Sequence, residues 1–145
     1  MKTLIYTRIL LLLSVLASSC TAGRNEASST AGGEIVCEAF YRPTAGQGLE
    51  AASPVIFTGG NERQERRFED MIFEASFQDD EFEGRALSIV VADLTAGQEI
   101  ARQLYQFDPA NPVANQFVGG HGFTGLVYVF HPTFSAEIQY FCHVA

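Results

Sequence analysis

The chain has 145 residues, 47% of them hydrophobic, enough for one packed domain of ordinary size. Its 17 acidic residues outnumber 9 basic ones, and Lys2 is the sole lysine. This balance excludes a nucleic-acid binder, which needs a basic footprint. It also excludes a polybasic grip on anionic lipid.

Residues 1–19 read as a signal peptide. Lys2 and Arg8 supply the positive start, and Ile9 to Ala17 supplies a short apolar run. That run is too short for a membrane-spanning helix, which needs about 20 apolar residues. Small residues follow at Ala17, Ser18 and Ser19, and then comes Cys20. The stretch Leu16-Ala17-Ser18-Ser19-Cys20 resembles the lipobox of bacterial lipoproteins, with its leucine one residue earlier than usual. The resemblance implies a lipid on the Cys20 thiol and cleavage just before it. The membrane would then be reached through acyl chains, at the cell envelope. Ordinary cleavage after Ala17-Ser18-Ser19 is the alternative.

Three cysteines are present: Cys20, Cys37 and Cys142. An odd count in an exported chain leaves one thiol to explain. With Cys20 lipidated, Cys37 and Cys142 remain as a disulfide pair. Such a bridge closes a loop of about 105 residues and stabilises by roughly 4–5 kcal/mol in the chain-entropy model. It could join the first and last strands as neighbours or staple two sheets. Removing Lys2 and Arg8 from the nine basic residues leaves seven against 17 acidic, a net charge of −10. A cationic partner suits that balance, and so does simple solubility.

Residues 20–33 comprise the lipidated cysteine and a Gly/Ser-rich tether without apolar period. Thirteen such residues span about 20 Å, which holds a domain just off a bilayer. The domain itself is expected over residues 34–145.

Ile35 to Tyr41 is rich in β-formers, with Ile35, Cys37, Ala39 and Tyr41 on one face. Pro54 to Phe57 is a second, shorter strand, closed by Gly59 and Gly60. The charged stretch from Asn61 to Arg67 is expected as a helical turn. Phe68 to Gln78 alternates, with Met71, Phe73, Ala75 and Phe77 inward, and Asp79-Asp80 reads as a turn. Phe82 to Leu94 is apolar on both sides, as a central strand is. These two form the clearest hairpin in the chain.

Thr95-Ala96-Gly97 is the next turn. Gln98 to Phe107 fits a helix through Ile100, Leu104 and Phe107, and a strand by alternation. Its short length and its neighbours favour the strand. Asp108 to Pro112 and Gly119 to Gly122 are loops. Phe123 to His131 is a strand stopped by Pro132. Phe134 to Val144 closes the chain, with Phe134, Ala136, Ile138, Tyr140 and Cys142 inward. Ser135, Glu137, Gln139 and His143 mark its wet face, with Phe141 the exception.

About seven closely spaced strands and no long helix predict an all-β, antiparallel β-sandwich. Immunoglobulin-like and jelly-roll-like arrangements both suit the count, although no Trp lies between the cysteines. The first and last strands are expected to be linked by the disulfide.

Chemistry-bearing motifs are sparse. His121, His131 and His143 lack metal-ligand spacing, and no cysteine is spare for zinc, so no metal or cofactor is expected. Gln78 to Glu83 is acidic without the alternating oxygens of a calcium loop. Gly119-Gly-His-Gly-Phe-Thr-Gly125 fits neither phosphate-loop pattern. No serine elbow is present. The expected function is a non-enzymatic binding module for an unknown protein or small ligand. The binding loop is expected around Asp108, Asn111, Asn115, His121 and Phe123. An inhibitor of a cationic envelope enzyme and a small hydrolase with a carboxylate or histidine site are the alternatives.

Overall fold

Strict alternation of buried and half-exposed side chains organises the chain into strands. The computed structural model describes residues 33–80, 82, 84–107 and 120–145. The signal segment, Cys20, most of the tether, and Asp108, Asn111 and Asn115 lie outside the described residues. Among those described there are nine strands and no helix: β1 (Ile35–Arg42), β2 (Glu50–Ala51), β3 (Val55–Phe57), β4 (Glu62–Arg67), β5 (Met71–Asp80), β6 (Gly84–Asp93), β7 (Glu99–Phe107), β8 (Val127–Phe130) and β9 (Glu137–Val144).

They form two antiparallel sheets. The first runs β2-β1-β9-β8, with β3 also pairing along β1. The second is a meander, β4-β5-β6-β7. Inward residues of both sheets make one core. Met71, Phe73, Ala75 and Phe77 of β5 and Leu87, Ile89 and Val91 of β6 meet Ile35, Ala39, Phe57, Ile138 and Tyr140 of the first sheet. Rings from opposite sheets touch: Phe73 and Tyr140 lie 5.3 Å apart, and Phe57 and Phe77 5.9 Å. Each large apolar side chain so buried contributes about 1.5–3 kcal/mol. The expected β-sandwich is therefore present, and β6 is central as its two-sided apolar run requires.

Cys37 and Cys142 are bonded, with Cα atoms 4.1 Å apart, and sit directly opposite on β1 and β9. The Cys142 N–H donates to Thr124 Oγ1, and its carbonyl accepts from the Phe123 N–H. Both groups thus point away from β1. The pair occupies a non-hydrogen-bonded position, where facing side chains are closest. The bridge joins neighbouring strands of one sheet and does not staple the two.

Several local expectations are corrected. Residues 62–67 form β4, not a helical turn. The sequence Glu-Arg-Gln-Glu-Arg-Arg has no apolar face, so its extended form is imposed by pairing with β5. Gln64 and Arg66 then reach across the sandwich edge to carbonyls of Ile56, Ser53 and Pro54. They cover the open edge of β3. Asp79 and Asp80 continue β5 and pair with Arg85 and Gly84, so the turn falls later. Gly84, at φ 86°, supplies its left-handed residue.

Residues 99–107 are a strand, and the register slips at Val91/Ala92. Ile100 is the extra residue of a bulge, so Ile100 and Ala101 both pack toward the core. The bulge puts Ile100 on the same side as Phe107, whereas Leu104, the middle residue of the helix-like spacing, is 60% exposed. The strand expected over residues 123–131 is shorter, covering 127–130. Phe134 is exposed in the β8–β9 turn. Glu137, expected on the wet face, is buried. Arg42 Nε lies 3.0 Å from its Oε1, close enough for an ion pair though off the line of a hydrogen bond. Gln139 donates to the same oxygen.

Candidate functional site

The outer face of the first sheet carries the residues that a binding site needs. Val36, Glu38 and Phe40 of β1 face outward beside His143, Phe141 and Gln139 of β9. Tyr128 and Phe130 of β8 extend the face and are 51% and 62% exposed. Phe40 stacks on Phe141 at 6.3 Å, and His143 tilts against Phe141 at 6.1 Å. His121 meets Phe141 edge-on at 5.2 Å. An open hollow of about 390 Å³ is lined by Glu38, Gly120, Gly122, Phe141 and His143. Glu38 Oε1 stands 3.8 Å from His143 Nε2, beyond hydrogen-bond length, so the two attract only when the imidazole is protonated.

The loop that brings His121 here is pinned from both sides. Gly122 has φ 64°, and a Cβ on it would fall 2.1 Å from the Cys142 carbonyl oxygen. Only glycine allows that approach. The Phe123 N–H bonds to the Cys142 carbonyl at 3.0 Å, and Thr124 Oγ1 receives the Cys142 N–H at 2.7 Å. The Phe123 ring enters the core against Phe107 at 5.3 Å and Tyr105 at 5.9 Å. Phe123 was expected to be exposed and is 8% exposed. The left-handed glycine reverses the chain, which turns Phe123 inward and leaves His121 outside.

His131 serves a different purpose. Its Nε2 lies 3.1 Å from Asp93 Oδ2, and its Nδ1 accepts the N–H groups of Thr133 and Phe134. Acceptance at Nδ1 places the ring proton on Nε2, pointing at the carboxylate. Both nitrogens are occupied, so neither is free to take a substrate proton. Asp93 also accepts the N–H groups of Thr95 and Ala96. The Ala96 bond above all, with Thr95 and His131 and against some burial, holds its carboxyl below the usual range. This pair ties the β8–β9 turn to the end of β6, linking the two sheets.

Two further hydroxyls are structural. Tyr41 donates to Asp70 at 3.2 Å, and burial, reinforced by Asp70, pushes its pKa up to about 12. Burial pushes up the Tyr140 and Tyr105 phenols, which influence one another across the core. Among the described residues no group of three His, Cys, Asp or Glu side chains is set to hold a metal ion.

Of the predicted site residues, His121 lies on the outer face and Phe123 in the core. Asp108, Asn111 and Asn115 are outside the described residues. The sequence reading missed Glu38, Phe40, Tyr128 and Phe141 as a group. Their signal was aromatic residues at the wet phase of alternating strands, visible in Phe141 but not joined to the others. What the arrangement offers chemically is recognition: ring faces, an exposed carboxylate and two imidazoles on a sheet closed by a disulfide. Comparison with family models, with curated proteins and with solved structures found no match, so the geometry alone carries the functional reading.

Proposed function

We propose that the chain is a lipid-anchored cell-envelope protein whose domain is a non-enzymatic binding module. It engages a protein or small ligand through the outer face of the first sheet. The observation that carries the binding role is the cluster of rings at positions where alternation calls for polar residues. Export is supported by the Cys37–Cys142 bond, since such bridges persist in oxidising compartments. With those two cysteines bonded, Cys20 is the remaining thiol, which supports its role as lipid acceptor.

Intact mass of the protein purified from bacterial membranes tests the anchor. A mature chain beginning at lipid-bearing Cys20 is expected. A soluble product beginning at unmodified Cys20, or at Ser18 or Thr21, would refute it. For the binding role, the double variant Phe141→Leu, Tyr128→Ser should lose capture of envelope partners that the wild type retains. Unchanged capture would move the site elsewhere.

Inhibition of a cationic envelope enzyme is the second reading, favoured by charge. The six described arginines are already engaged, five with carboxylates and Arg66 with backbone carbonyls. Glu34, Glu50, Glu62 and Glu69 have no such partner among the described residues.

A further inference from the structure

We propose that the hollow beside Glu38 and Phe141 is a seat for an arginine side chain of a basic partner protein or peptide. The proposal rests on the binding-module reading above and names the chemistry of its partner.

Glu38 projects from β1, which is held on both sides by β9 and by β2 and β3. Its side chain is 37% exposed. The outward neighbours on the two strands are Val36, Phe40, Phe141 and His143, and none carries a fixed positive charge. The closest arginine on this face, Arg42, is committed to buried Glu137. The carboxylate therefore stands beside an aromatic surface with no arginine or lysine to neutralise it and only the His143 imidazole, 3.8 Å away, as a neighbour that can carry charge. Glu34 lies four residues before Glu38 on the same outward phase of the chain and adds a second negative charge.

A guanidinium fits this combination better than an ammonium does. It is planar, so it stacks on a ring while its N–H fork meets a carboxylate edge. The protein already builds this trio once. Arg85 lies 5.3 Å over the Phe77 ring, and its Nε is 3.1 Å from Asp79 Oδ2. The outer hollow presents the ring and the carboxylate and lacks the cation. A net charge of −10 on the chain beyond Lys2 and Arg8 would draw a basic partner toward the surface and speed encounter.

The test uses the full-length protein, purified in detergent from whichever fraction holds it, and a dye-labelled hexa-arginine peptide followed by fluorescence anisotropy. Binding is expected, and hexa-lysine should bind more weakly. Glu38→Gln should weaken hexa-arginine binding about fivefold or more, and Phe141→Leu about threefold. Glu62→Gln, the same charge change on the second sheet, should alter it less than about twofold. Thermal unfolding of each variant checks the fold. Should Phe141→Leu unfold, Glu38→Gln against Glu62→Gln decides alone.

Equal losses for Glu38→Gln and Glu62→Gln would overturn the seat in favour of diffuse charge. Absence of peptide binding would overturn it too. So would binding of soluble envelope glycan fragments that Phe141→Leu abolishes and Glu38→Gln spares. That last result would leave the binding module standing with a saccharide ligand. A chain found without lipid would remove the anchor and leave the seat untouched.

Discussion

The two sheets are built in opposite ways. The second is a meander in which each strand pairs with the one before it, so its register is set by short turns. The first joins β1 to β9 across a sequence separation of 105 residues and is locked by a disulfide. Their outer faces differ too. Arg63–Glu74, Arg67–Glu65 and Arg102–Glu99 pairs dress the second sheet. Rings, imidazoles and Glu38 dress the first. The comparison teaches that both sheets supply the core, while the locally assembled sheet carries a charged outer face. The proposed recognition surface sits where distant segments meet, because only there can residues from both ends of the domain converge.

The largest test of this contrast is removal of the bridge. Cys37→Ala with Cys142→Ala should cost roughly 4–5 kcal/mol in denaturant unfolding. Hydrogen exchange should show β1 and β9 losing protection first, with β5 and β6 retaining theirs. Uniform loss across both sheets would erase the distinction. Gly122→Ala comes next. Its Cβ would strike the Cys142 carbonyl at a left-handed φ, so a loss of about 2–3 kcal/mol is expected, with displaced His121 ring resonances.

Tyr41 reports on the joint between the sheets. Its raised pKa means the folded state prefers the neutral phenol. The associated stability is complete below the unfolded value near pH 10 and is lost as pH rises through about 12. Urea midpoints between about pH 8 and 11 should fall at the alkaline end. Tyr41→Phe should flatten that fall and cost about 1 kcal/mol at neutral pH, through loss of the Asp70 hydrogen bond. The smallest effect belongs to the charged face. Arg102→Ala, which removes an exposed ion pair, should change stability by less than about 0.5 kcal/mol. A larger change would show that the second sheet depends on its surface charges.

Much of the fold was legible because alternation reports a face directly. Met71, Phe73, Ala75 and Phe77 could lie on one side of an extended chain and nowhere else. The cysteine pair was legible from its count, once Cys20 was set aside as the expected lipid acceptor. The candidate site was legible only in His121, since a single strand shows which residues face outward but not which outward residues of other strands stand beside them.

The sequence by itself determined the all-β class, the inward faces of β1, β5 and β6, and the partner of Cys37. Each follows from a period of two or from the odd cysteine count in a chain expected to be exported. Tertiary structure decided the rest. It drew the polar run at residues 62–67 into a strand through the hydrogen bonds of β5 and β3. It buried Glu137 beneath Arg42 and Gln139. It turned Phe123 into the core at a glycine too close to Cys142 for any side chain. It also gathered Glu38, Phe141 and His143 around one hollow, with His121 edge-on to Phe141, because pairing between β1 and β9 has no local signature and only the packed sheet brings their outward residues into contact.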